Sequence, residues 1–131
     1  MVKKTFFSGF IPLHLISSAN KKEHWAIKHR RDKVQREAAL LHINKYRDLI
    51  ELPCVIKLIR VSPRKLDDDN LAYAFKGIRD SVCSFIIPGL APGRADDDKR
   101  LQIEYAQQSD CPKIYGFKIA IECEGTDYDT K

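Results

Sequence analysis

Long apolar runs are missing from this 131-residue sequence. Nothing in it approaches the roughly 18–20 residues that a spanning helix needs, so no transmembrane segment and no membrane partner is expected. The opening Met1–Phe10 stretch has basic residues followed by apolar ones, but Ser8, Gly9 and Pro12 interrupt it and no small-residue cleavage site follows. A signal peptide is therefore not expected. Cysteine is sparse: Cys54, Cys83, Cys111 and Cys123 lie far apart, form no CxxC pair and have no histidine at zinc spacing. They read as buried free thiols of a reducing compartment. Internal repeats and interdomain linkers are absent too. What is present, 44% apolar, 9% aromatic and 31% charged residues, describes one ordinary domain over 1–131.

Positive charge is concentrated early in the chain. Residues 1–50 hold eleven Lys/Arg against four Asp/Glu, whereas 51–131 hold twelve against fourteen. A basic half beside a half whose carboxylates come in two clusters suits a protein that grips phosphates while holding a cation, and an ordinary solvated surface has the same arithmetic.

The pattern predicts an outer strand over 5–15, with Phe7, Ile11, Leu13 and Leu15 loosely alternating and Pro12 at an edge or bulge. From Glu23 to about Leu49 a long helix is expected, with Ile27, Val34, Ala38 and Leu41 as its core-facing stripe. Off that stripe project Lys28, Arg30, Arg31, Lys33 and Arg36, with Lys21 and Lys22 just before the helix. Cys54–Val61 is nearly continuous in apolar character, as a central strand covered on both faces would be. After Ser62-Pro63-Arg64-Lys65, the acids Asp67-Asp68-Asp69-Asn70 open a second helix whose Leu71, Phe75, Ile78 and Val82 recur at helical spacing. A Pro/Gly loop over 87–94 and the acids Asp96-Asp97-Asp98 precede a strand at Leu101–Tyr105. The final strand, Tyr115–Cys123, has period two with Phe117, Ile119 and Ile121 inward, and 124–131 is expected to fray. The order β-α-β-α-β-β predicts an α+β fold, a small mixed sheet with two main helices.

Two readings compete for the acids. Asp67 and Asp69, one residue apart at a loop–helix junction, are oxygen donors of the kind Mg²⁺ or Mn²⁺ takes, with Asp96 or Asp98 available as a third. Asp at a helix start also caps free N–H groups, worth about 0.5–2 kcal/mol. The second cluster precedes a strand, where no helix needs a cap. Lys76, two turns beyond Asp69 on the same face, is placed either to neutralise a phosphate or to pair with Asp80. Trp25 is read first as a packing anchor and second as a base-stacking ring. His14, His29 and His42 have no ligand-spaced partner.

The order of these landmarks resembles the RusA-like family of Holliday-junction-resolving endonucleases, particularly its phage-associated members. The resemblance spans nearly the whole length. It rests on Asn20 with His24-Trp25 and the basic run to Gln35-Arg36, on Leu66-Asp67-Asp68-Asp69-Asn70-Leu71 with Lys76 and Asp80, on Gly93 and Asp96 to Asp98 with Arg100, and on Tyr105-x-Gln107.

The resemblance implies that Asp67, Asp69 and Asp96 are catalytic and coordinate Mg²⁺ or Mn²⁺, with Asp97 or Asp98 the substitute third ligand. The family's lysine often stands one turn after the second aspartate, where this chain has Tyr73; Lys76 is the nearest replacement. A homodimer is implied, cutting four-way DNA junctions by paired nicks that leave 5′-phosphate and 3′-hydroxyl ends, in the cytoplasm of a bacterial cell or phage-infected host. Lys21, Lys22, Lys28, Arg30, Arg31, Lys33, Arg36, Arg64 and Lys65 are the expected DNA contacts. The other reading keeps the fold and the branched-DNA binding without the nuclease activity.

Overall fold

The structure is a computed structural model, and it describes residues 2–16, 25–89, 95, 98–109 and 112–125. The elements are β1 (Val2–Phe7), α1 (Trp25–Ile43), a 3₁₀ turn (Asn44–Tyr46), β2 (Cys54–Val61), α2 (Asp68–Ala74), α3 (Lys76–Ile86), β3 (Leu101–Gln108) and β4 (Gly116–Gly125). This is an α+β arrangement around one mixed sheet of order β1-β4-β2-β3. β4 pairs antiparallel with β1 and β2, whereas β2 and β3 run parallel. A parallel pair needs a long crossover, and α2 and α3 supply it.

Alternation assigns the two faces of the sheet. Cys54, Ile56 and Leu58 of β2 and Phe117, Ile119, Ile121 and Cys123 of β4 point inward and are buried with Ala39 and Ile43 of α1 and Ile78 and Val82 of α3. Phe75 fills the centre, its ring edge-on to Phe117 at 6.1 Å and tilted against Tyr105 at 6.1 Å. On the other face Lys57 pairs with Glu122 at 2.8 Å. The bond to Lys57 lowers the Glu122 pKa and raises that of Lys57.

The inward residues expected from α2–α3 and from β4 are all buried, and β2 is interior to the sheet as expected, but Val55, Lys57 and Ile59 are only half-buried, so it is not covered on both faces as its composition suggests. Trp25, read first as a packing anchor, is instead 73% exposed. Four further expectations need correction. The first strand ends at Phe7 rather than continuing to residue 15; Gly9, at φ 79°, turns the chain, and only Ile11 returns to bridge Phe117. Gly116 permits that return, because a Cβ there would lie 2.4 Å from the Ile11 carbonyl and 2.5 Å from the Phe10 ring. The long helix stops at Ile43 and tightens into the 3₁₀ turn instead of running to Leu49.

The α1 stripe is also rotated. Ile27, Val34 and Leu41 are 57%, 48% and 76% exposed, while Gln35, Ala39 and Ile43 face the core. Apolar residues are spread around α1, so packing selects the buried side. Ala39 allows α3 to approach, and Gln35 Nε2 reaches the His14 carbonyl at 3.5 Å. Lastly, the second helix is two helices, broken at Phe75 (φ −93°, ψ 0°), so the observed order is β-α-β-α-α-β-β.

Cys54, Cys83 and Cys123 are buried free thiols; Cys111 lies outside the described residues. Cys54 faces Cys123 across the β2–β4 ladder, and burial together with that neighbour raises its pKa to about 11. Of the expected frayed tail, 124 and 125 belong to β4 and the rest lies outside the described residues. No helix among the described residues is long and apolar enough to cross a membrane.

Candidate active site

The loop leaving β2 delivers the first acids. Asp67 is extended (φ −68°, ψ 168°), and its Oδ1 accepts the Asn70 N–H at 2.9 Å while its carbonyl accepts the Leu71 N–H at 2.9 Å. Asp67 is thus the N-cap of α2, and Asp68 and Asp69 occupy its first turn. All three carboxylates are exposed. Gln107 of β3 fixes this loop from below, since its side-chain amide bonds both the N–H and the carbonyl of Leu66.

The break at Phe75 does not separate the second carboxylate from the lysine. Asp69 and Lys76 line one hollow of about 310 Å³, with Tyr73, Arg79, Asp80 and Tyr105 around them. The Arg79 guanidinium donates to the Tyr105 hydroxyl at 3.0 Å, which ties α3 to β3 behind the hollow. From α1, Lys28 brings its ammonium over the Tyr73 ring, 5.7 Å from the centroid, while bonding Asp32 at 2.7 Å.

The other basic residues of α1 fan out. Arg36 runs along Gly77 of α3 and lines a neighbouring hollow of about 600 Å³ with Asp80 and Arg47. Arg30 and Arg31 line a third one beside Leu13 and Ile27. Lys33 points to solvent near Glu37, at 3.9 Å. Arg64 and Lys65 are exposed in the loop before Asp67. Lys28 and Arg36 therefore border the Asp69–Lys76 hollow or its neighbour, and Arg30, Arg31 and Lys33 stand apart. Lys21 and Lys22 lie outside the described residues.

Asp96 and Asp97 also lie outside the described residues. Asp98 is engaged: Arg100 Nε and NH2 donate to its two oxygens at 3.0 and 2.9 Å, and the Arg100 backbone N–H donates at 2.9 Å. Those bonds hold its pKa down to about 2. Among the described residues no group of three or more His, Cys, Asp or Glu side chains gathers at metal-binding distance. The carboxylates at the start of α2 are Asp67, Asp68 and Asp69, of which Asp69 shares the hollow with Lys76.

Sequence reasoning missed Gln107 as a loop clamp, Arg79 as a wall of the hollow, and Arg47 beside Arg36. Gln107 stands in the Tyr105-x-Gln107 landmark of the resemblance, but nothing in that spacing marks its side chain as a partner of the Leu66 backbone. Arg79 is revealed only when α3 packs on β3, and Arg47 only when the segment after α1 meets α3. Compared with known families, curated proteins and solved structures, the chain gives no match in any of the three.

Proposed function

We propose that this protein is a metal-dependent, structure-selective endodeoxyribonuclease of the RusA-like kind, which resolves four-way DNA junctions by paired phosphodiester hydrolysis. The observation that carries the reading is the common hollow of Asp69 and Lys76, on the helix that Asp67 caps, with Lys28 of the basic helix α1 over its Tyr73 wall.

The donor chemistry fits Mg²⁺ or Mn²⁺. These cations use one or two carboxylates and fill their remaining positions with water and substrate phosphate, so Asp67 and Asp69 are an adequate protein share. The Asp67 cap bond engages Oδ1, so Oδ2 is the oxygen that would serve a cation. A divalent cation supplies charge for the phosphoryl oxygens and acidifies water at phosphorus.

The chain's own residues do the rest. Lys76 places an ammonium on the same phosphate and stabilises charge as it moves onto the leaving 3′-oxygen. Tyr73 and Tyr105 wall the hollow, and Lys28 and Arg36 hold neighbouring phosphates without reading bases. A homodimer would set two such sites on opposed strands of a junction with its own two-fold symmetry.

A second reading, a junction-binding protein without nuclease activity, is favoured by Tyr73, which occupies the place where the resembled family carries lysine. The test is a labelled synthetic four-way junction and a linear duplex of the same sequence, each incubated with Mg²⁺ or Mn²⁺. Symmetric nicks in the junction alone support the nuclease; tight binding without nicks under any salt condition supports the second reading.

A further inference from the structure

The C-terminal end of β2 borders another hollow, of about 470 Å³, lined by His14, Arg60, Ser62, Arg64, Leu66 and Tyr115 among others. No acid among the described residues belongs to its lining. Arg60 is its buried element at 5% exposure, and Ser62 is 3% exposed. Arg60 Nε donates to the Leu15 carbonyl at 2.9 Å and NH1 to the Arg64 carbonyl at 2.7 Å.

A guanidinium has five N–H donors, so these two bonds leave donors to spare. Among the described residues they also leave its charge unbalanced. Burial lowers the Arg60 pKa, and no carboxylate among the described residues pairs with it. Holding a buried cation without a counter-charge is costly, and an anion entering the hollow offsets that cost.

The two carbonyl bonds orient the planar guanidinium in advance, and a fixed guanidinium fork matches the oxygens of a phosphate. His14, tilted against Tyr115 with ring centroids 4.2 Å apart, and exposed Arg64 complete a donor-rich mouth. Leu66 lines this hollow and immediately precedes Asp67, so it lies on the chain next to the proposed cutting site.

We propose that this hollow is a phosphate pocket, built on Arg60, that takes a backbone phosphodiester next to the one held at Asp67 and Asp69. The proposal rests on the nuclease reading for the identity of the strand, but not for the phosphate chemistry. A purely structural role for Arg60, clasping Leu15 to Arg64, predicts no response to phosphate at all.

The test follows the arginine Nε–Hε signals of the ¹⁵N-labelled full-length protein by NMR, without divalent metal and at constant ionic strength. One arm adds a short single-stranded oligodeoxynucleotide, the other inorganic phosphate, and Arg60→Lys assigns the signal. The expected result is a saturable shift of the Arg60 signal with the oligonucleotide, weakened about tenfold in His14→Ala and in Arg64→Ala, whose side chains are exposed and whose loss spares the core. For junction DNA, the slope of log affinity against log salt should fall by about 0.9 for each phosphate contact removed.

An Arg60 signal unmoved in both arms overturns the proposal. A response to inorganic phosphate alone upholds the phosphate chemistry and overturns the phosphodiester as its source. Because neither metal nor cleavage enters the experiment, a protein that binds here and cuts nothing upholds the pocket and counts only against the nuclease reading.

Discussion

The side-chain amide of Gln107 brackets Leu66 as a neighbouring strand would: the Leu66 N–H donates to Oε1 and Nε2 donates to the Leu66 carbonyl, both at 2.8 Å. The segment just before Asp67 is thereby tied to β3. Two net hydrogen bonds are worth about 1–3 kcal/mol together. Gln107→Ala should lower stability by that amount in urea denaturation and reduce junction cleavage more than junction binding. Gln108→Ala, on the exposed side of the same strand, should stay within about 0.5 kcal/mol of wild type.

Asp67 has two proposed duties that one pair of substitutions separates. Asparagine caps a helix about as well as aspartate, whereas alanine does not. Asp67→Asn should therefore keep its stability in metal-free buffer, and Asp67→Ala should lose about 1 kcal/mol. Binding of Mg²⁺ or Mn²⁺ to the native state raises the melting temperature, and both variants should lose that increment. Full retention of the increment in Asp67→Asn would leave Asp67 as a cap alone.

The pH dependence has a definite sign. Side-chain and backbone bonds from Arg100 hold the Asp98 carboxyl at about 2, below its ordinary value of 3.8. A carboxyl depressed by folding stabilises the native state at pH values above about 4, and that contribution disappears as the pH falls toward about 2. Asp98→Asn should differ from wild type in urea midpoint above about pH 4 and converge with it near about pH 2. Glu122, lowered by Lys57, acts in the same direction and remains in both proteins.

The orientation of α1 is testable by size. Leu41 is 76% exposed, so Leu41→Lys should change stability by less than about 0.5 kcal/mol. Ala39 is fully buried in the core cluster, so Ala39→Leu should overpack it and cost about 1–3 kcal/mol in thermal or urea unfolding. The reverse ranking would restore the face that Ile27, Val34 and Leu41 suggest from sequence.

That contrast marks how far the sequence can be read. Elements with a single possible apolar side were legible: Phe117, Ile119 and Ile121 alternate cleanly, and Leu71, Phe75, Ile78 and Val82 keep to one side through a helix break that their spacing does not reveal. α1 was legible as a helix but not in its rotation, because Ala39 and Gln35 carry no strong hydrophobic signal and are buried by what surrounds them. At the site, Asp67 was legible as a helix cap, which it is, and Lys76 lines the same hollow as Asp69, as their spacing on one helical face suggests. Gln107, noted only within a landmark of the resemblance, and Arg60 were not legible as backbone clamps. Their importance comes from backbone groups of Leu66, Leu15 and Arg64, between 4 and 45 residues distant, which no local pattern encodes.

The central claim is that Asp69 serves metal-dependent cutting rather than DNA binding or folding. The direct measurement compares wild type and Asp69→Asn on one labelled four-way junction, reading binding by gel shift without metal and cleavage after adding Mg²⁺ or Mn²⁺. The account predicts equal binding, symmetric paired nicks by wild type and none by the variant. Undiminished cleavage by Asp69→Asn would contradict it.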